Sequence, residues 1–314
     1  MVIVLAALSI LVAAFCLYGR YQFRKMEKQY PPNGQFVTVE GITLHYVSRG
    51  EGRPVVFLHG GVLTGNDFRE SIELAASAGY RGIAFDRPGY GHSERPIGEP
   101  VTPRTQARLL HEALGALGIE KPILVGHSWS GVLVLTYAID YPDDISGIVT
   151  LGGGMYPEGY PAEKGDPIST LVTTPILGNI VMHSLLAVMG PALAVNVLKE
   201  TFKPEPVPEA YREATLAYWL RPSQFRANRE DVLAFVPGVR AIMDRYPEID
   251  TPLVIAVGAD DPFPTREHSF RLHEQVPDSK LLLLPGVAHM IPQNHPEAVM
   301  EAVKAIPNRQ GKFE

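Results

Sequence analysis

From residue 35 onward, short apolar runs alternate with longer segments whose apolar positions recur at helical spacing, the rhythm that separates buried strands from the helices packed on them. Residues 36–39 and 43–47, joined around Gly41, read as a hairpin, and residues 54–58 as a short buried strand that runs into His59-Gly60-Gly61. The pattern then predicts a helix over 66–78, a strand over 82–85, a helix over 105–117, a strand over 123–125, a helix over 130–141 and strands over 145–151, 253–257 and 280–284. Such alternation predicts an α/β chain with a mainly parallel sheet covered on both faces.

The alternation fails over 153–247. Prolines are frequent there, and the apolar stretches 171–180, 181–189, 192–198 and 211–219 have helical lengths without strand punctuation. This region is expected to be a helical cap over the C-terminal edge of the sheet. The remaining body is then 35–152 with 248–314.

The first residues follow neither rhythm. Residues 2–18 are uninterruptedly apolar or small, with Ser9 the most polar, close to the length needed to cross about 30 Å of hydrocarbon. A signal segment would fit the length, but no Lys or Arg precedes the run and Phe15 is bulky where cleavage requires a small residue. The reading is an uncleaved anchor over 1–19. Arg20, Arg24, Lys25 and Lys28 follow in a basic stem over 20–34 that ends at the turn Pro31-Pro32-Asn33-Gly34. Positive charge on that side places the body in the cytoplasm, with a periplasmic or extracellular body as the alternative.

Composition narrows the chemistry. The chain has 314 residues, is 46% hydrophobic and 20% charged, and carries a net charge of −6. It can bury a large core, and it offers no basic patch to a phosphate backbone, so nucleic acid is not an expected partner. Cys16 is the sole cysteine, which excludes an intrachain disulfide and a cysteine metal cluster. No phosphate-binding loop, dinucleotide fingerprint or metal spacing is present, and no cofactor is expected.

Ser, His and carboxylates must therefore carry the chemistry. Gly126-His127-Ser128-Trp129-Ser130-Gly131 lies between a predicted strand and an apolar helix, the setting of a nucleophile elbow, in which a strained serine requires small residues two positions to either side. A serine hydroxyl needs a base to take its proton, and the base needs a third group to fix its tautomer. His289 follows the last predicted strand in Pro285-Gly286-Val287-Ala288-His289, and Asp260-Asp261 follow the strand 253–257. Three such groups in the order Ser, Asp, His, each just after a predicted parallel strand, point to nucleophilic acyl transfer. The glycines of His59-Gly60-Gly61-Val62 allow close backbone approach to a substrate. The expected oxyanion donors are the amides of Trp129 and of Gly61 or Val62, and His59, Gly60 and Trp129 are expected at the substrate pocket. His92-Ser93 reads as part of a structural loop rather than a second catalytic pair, since neighbours in a turn rarely face each other.

These residues resemble a known superfamily, the capped α/β-hydrolases that include esterases, epoxide hydrolases, haloalkane dehalogenases and proline iminopeptidases. The resemblance spans about 36–306. It rests on His59-Gly60-Gly61, on Asp86-Arg87-Pro88-Gly89-Tyr90-Gly91-His92-Ser93, on the elbow 126–131, on the acid loop 258–264 and on the histidine loop 286–289. It implies an eight-stranded sheet with the cap between strands 6 and 7, and it favours Asp261 over Asp260 as the acid. Epoxide hydrolases and dehalogenases of this superfamily use an Asp nucleophile, so Ser128 argues against both. The sequence departs from the G-x-S-x-G pattern at Ser130. What the resemblance implies is a serine hydrolase cleaving carboxylic esters of small molecules through an acyl-enzyme. A proline iminopeptidase-like or amide hydrolase is the alternative, and a non-turnover receptor is an alternative of another class.

Overall fold

The computed structural model describes residues 2–160 and 162–307. Eight strands form one sheet: β1 (Gln35–Val39), β2 (Ile42–Arg49), β3 (Arg53–Leu58), β4 (Tyr80–Phe85), β5 (Ile123–His127), β6 (Gly147–Leu151), β7 (Leu253–Gly258) and β8 (Lys280–Leu284). Their spatial order is β1-β2-β4-β3-β5-β6-β7-β8. Only β2 runs against its neighbours, pairing antiparallel with both β1 and β4, while β3 to β8 are parallel. β5 and β6 are buried at every position, which is why their sequences read as continuous apolar runs rather than as alternation.

Helices α2 (Arg69–Ser77), α3 (Pro103–Ala116) and α4 (Ser130–Asp140), with α10 (Thr265–Gln275), α11 (Ile291–Asn294) and α12 (Pro296–Lys304), cover the sheet. One core cluster joins α3 and α4 to Val56, Leu124 and Ile148, and a second joins α2 and α12 to Val55, Val125 and Val149. Consecutive residues of the central strands thus feed opposite faces, as a pleated sheet requires.

Among the described residues between β6 and β7 lie five α-helices, α5 (Pro167–Thr173), α6 (Leu177–Ser184), α7 (Leu186–Phe202), α8 (Glu209–Tyr218) and α9 (Pro222–Arg240), followed by a 3-10 helix over Met243–Glu248. The cap differs in detail from its sequence pattern. The stretch 181–189 is split at Leu185 between α6 and α7, its second part joins 192–198 in α7 with Pro191 in the helix interior, and α9 was not anticipated at all.

At the other end of the chain, α1 (Val2–Gln29) is a single helix. The residues read as a basic stem therefore continue the apolar segment in helical form as far as Gln29. α1 packs on α6, α7 and α8, and Phe23 is buried with Met182, Leu186 and Trp219. Gly19 permits the approach, since a Cβ there would stand 2.7 Å from the His183 carbonyl oxygen. Among the described residues no single helix is long and apolar enough to cross a membrane. The expected anchor falls partly on positions, among them residues 5–9 and 12, whose side chains lie outside the described residues.

Candidate active site

The sheet delivers three loops to one point. At the end of β5, Ser128 has φ +54°, a left-handed conformation that a serine rarely adopts. It is tolerable because its surroundings are small: a Cβ on Gly126 would come within 2.4 Å of the Ser130 carbonyl oxygen. Main-chain bonds hold the turn, with the Ser128 carbonyl accepting from the N–H groups of Gly131 and Gly154, each at 2.9 Å. Ser130, the departure from the glycine pattern, is fully buried, and its Oγ donates to the His59 carbonyl at 2.6 Å. The extra hydroxyl thereby ties the elbow to the loop after β3.

His289 and Asp261 converge on this serine. Nε2 of His289 is 2.9 Å from Ser128 Oγ, and Nδ1 is 2.8 Å from Asp261 Oδ2. The carboxylate also accepts from Thr265 Oγ1 at 2.6 Å and from the Phe263 N–H at 2.9 Å. Burial acts to raise the Asp261 carboxyl, but the His289 ring and these hydrogen bonds outweigh it and hold the group below the usual carboxylate range. Asp260 is exposed, and its N–H donates to the Val287 carbonyl, fastening the acid loop to the histidine loop. Gly152 makes room for the pair, because with φ +50° a Cβ at this position would meet Asp261 Oδ2 at 3.1 Å and His289 Nδ1 at 3.3 Å.

His127 also touches the histidine loop. Its Nε2–H donates to the main-chain carbonyl of His289 at 2.9 Å. Burial, reinforced by the neighbouring His289, pushes its ring down to about 3, so it remains neutral. No sequence signal marked this residue, since the position before an elbow serine is otherwise unconstrained.

Beside Ser128 lies a cavity of about 180 Å³, lined by Gly61, Val62, Trp129, Trp219, Asn228 and Phe263 among others. Gly61, Val62 and Trp129, expected as oxyanion donors or at the substrate pocket, line this cavity. His59 and Gly60 do not line this cavity. His59 is fully buried beneath the loop, accepting from the Arg87 N–H through Nε2 and donating from Nδ1 to the Gly60 carbonyl. Burial, then the charge of Arg87, pushes it down to about 3, which makes it a neutral strut rather than a substrate contact.

Arg87 is the centre of that strut. Its guanidinium donates to the carbonyls of His59 and Gly60 and pairs with Asp231 of α9 at 2.6 Å, both side chains being 1% exposed. It also lies over the Trp129 ring, whose indole N–H donates to the Asp231 carbonyl. The cap, the glycine loop and the residue after the nucleophile are held as one unit. His92 and Ser93 are spent on the same loop: the His92 N–H and Ser93 Oγ donate to the Asp86 carboxylate and carbonyl. Asn228 and Arg229 on the inner face of α9 also line the cavity. Asn228 donates to the Gly61 carbonyl, and Arg229 is held by the Asn228 amide oxygen and by Asp166 at 3.8 Å.

Comparison with known proteins agrees with this fold. A family model described as alpha/beta hydrolase fold matches residues 53–173. The chain is 28% identical to a 2-hydroxy-6-oxononadienedioate/2-hydroxy-6-oxononatrienedioate hydrolase of Paraburkholderia phymatum, covering 82% of this chain and 88% of that one. It is 24% identical to a 2-hydroxy-6-oxo-6-phenylhexa-2,4-dienoate hydrolase of Burkholderia cepacia, over 84% and 92% respectively. Among solved structures, an alpha/beta hydrolase fold protein from Burkholderia ambifaria superposes with a TM-score of 0.72 at 23% identity, covering 86% of this chain and 96% of that one. The chain carries the α/β-hydrolase fold, and the family model and these relatives support its place in that superfamily. These two curated relatives are named as hydrolases, and the likeness supports a hydrolase here.

Proposed function

We propose that the protein is a serine hydrolase that cleaves carboxylic esters of small, largely apolar acyl compounds through an acyl-enzyme. The observation that carries this reading is His289 bridging Ser128 and Asp261 at 2.9 Å and 2.8 Å beside a cavity rich in aromatic side chains. His289 takes the hydroxyl proton as Oγ attacks the ester carbonyl. The carbonyl oxygen becomes an anion, received by the main-chain N–H groups of Trp129 and of Gly61 or Val62. The C–O bond breaks, the alcohol leaves with the proton from His289, and water repeats the cycle on the acyl group. Asp261, kept ionised, stabilises the imidazolium formed on the way.

A second reading is hydrolysis of an oxo-acid of the kind named for the two curated relatives. Arg229 in the cavity wall favours it, since a guanidinium there would pair with a substrate carboxylate. A panel of aryl esters, proline anilides and 2-hydroxy-6-oxo-dienoates under multiple turnover separates the readings, with Ser128→Ala as control. Turnover of esters alone supports the first; turnover of the dienoate alone replaces it with the second. Acylation of Ser128 without turnover would mark the receptor alternative.

A further inference from the structure

The cap shows two unlike faces on one helix. On α7, Val197 and Thr201 line the cavity beside Ser128. Earlier on the same helix Val188, Met189 and Leu193 are exposed, Met189 to 65%. The preceding helix α6 and its lead-in add Ile176, Leu177 and Ile180, with Ile176 exposed to 76%. Residues 167–198 contain no Asp, Glu, Lys or Arg. Large apolar side chains gathered on adjacent surface helices without interspersed charge mark an interaction surface rather than ordinary exposure.

What covers that face is indicated by α1, which packs on both α6 and α7. Its described apolar side chains Ile3, Val4, Ile10, Leu11 and Leu17 are also exposed, so the apolar character of the cap continues onto α1. The charged groups stand at the border. Arg20, Arg24, Lys25 and Lys28 follow the apolar run of α1 and are exposed, and Arg226 donates to Asn179 of α6. A protein partner is commonly registered by mixed charges around an apolar centre; this surface has an uncharged centre and balanced charges beyond its ends at Glu163, Lys164, Lys199 and Glu200. α1 adds a surplus of cations, since Arg20, Arg24, Lys25 and Lys28 outnumber Glu27. That is the arrangement of helices lying in the interfacial layer of an anionic bilayer, where the apolar face enters the acyl region and Lys and Arg meet the headgroups.

We infer that the exposed face of α6 and α7, together with α1, docks on an anionic lipid bilayer and that the cavity beside Ser128 takes up its substrate from the lipid. The docking rests on the surface alone. The uptake rests in addition on the ester reading above, and it narrows the substrate to acyl esters that partition into bilayers.

The test uses the full chain carrying an environment-sensitive fluorophore on Met189→Cys in a Cys16→Ser background, mixed with phosphatidylcholine vesicles with and without about 30 mol% phosphatidylglycerol. Docking requires a blue-shifted emission on the anionic vesicles and a weaker response on the neutral ones. An emission that stays water-like while the protein co-sediments with the vesicles would overturn docking, because α1 alone would then be the attachment. A blue shift that needs no vesicles and grows with protein concentration would also overturn it, in favour of a second copy of the chain. In the kinetic arm, Val188→Glu with Met189→Glu is expected to lower kcat/KM about tenfold on a long-chain ester carried in vesicles and to leave a short soluble ester unaffected. Equal kcat/KM on the vesicle-borne ester for this variant and the wild type would overturn uptake from lipid. Should neither ester be turned over while the emission shifts, the ester reading fails and the docking stands.

Discussion

The Nε2–H of His127 donates to the main-chain carbonyl of His289 at 2.9 Å, so the residue before the nucleophile holds the loop of the residue that takes its proton. This contact runs parallel to the Ser128–His289 hydrogen bond and sets how the imidazole approaches Oγ. His127→Ala removes this donor and leaves the His289 carbonyl to the Ile291 N–H, which donates to it at 2.9 Å from within the same loop. Small misplacements of a catalytic group cost up to about 10² in rate. The expected result is a loss in kcat of that order with KM little changed, and partial recovery in His127→Asn, whose amide can still donate. Steady-state kinetics on one ester, with circular dichroism to verify folding, checks it.

The two adjacent aspartates should separate cleanly. Asp261 meets His289 Nδ1, whereas Asp260 is exposed and contributes its main-chain N–H. Asp261→Asn is expected to lower kcat by about 10⁴, as loss of the orienting acid does in comparable relays. Asp260→Asn should stay near wild type. The comparison is read from kcat on the same ester.

Arg87 and Asp231 bind core to cap in a site closed to water. Removing Asp231 strands the Arg87 guanidinium as an uncompensated buried charge, at a cost of about 3–5 kcal/mol, whereas removing Arg87 leaves Asp231 paired with Arg95 at 2.9 Å. Asp231→Leu should therefore lower the urea midpoint more than Arg87→Met. Because the same guanidinium holds the carbonyls of His59 and Gly60, activity should fall at temperatures where the variants remain folded.

A pH dependence follows from Asp67, which is buried near the Tyr211 hydroxyl. Burial raises its carboxyl to about 8, against a lowering by Tyr211 and a further rise from Asp86. The folded state therefore keeps a proton that the unfolded chain releases near the ordinary carboxylate value. Where the folded state binds more protons, stability declines as pH rises. Asp67 should cost stability progressively from about pH 4 to about pH 8. Asp67→Asn removes the ionisation, so the fall in urea midpoint between about pH 5 and about pH 8 should be smaller than in the wild type.

How far this site was legible in the sequence differs from residue to residue. Ser128, Asp261 and His289 could be found because a parallel sheet places successive strand ends together, so chain order stood in for space. His59 misled because a histidine beside two glycines after a strand looks like a site residue; only the Arg87 N–H reaching its ring reveals a strut. Arg87 and Asp231 are far apart in sequence, and no local pattern links them. Helix α9 was missed because Pro222 and its charged residues obscured a buried face that carries Asn228, Arg229 and Asp231. The continuation of α1 was hidden by its basic residues, although Gly19 and Phe23, one turn apart, form the face that docks on the cap.

The central claim is that Ser128, deprotonated by His289, carries the acyl group. Intact-protein mass spectrometry after rapid acid quench of a p-nitrophenyl ester reaction tests it most directly. The account requires a transient mass increase equal to the acyl group, mapped by peptide analysis to Ser128, abolished in Ser128→Ala along with about 10⁶ of the turnover. An unmodified Ser128 during steady turnover, or a Ser128→Ala enzyme that retains its kcat, would contradict it.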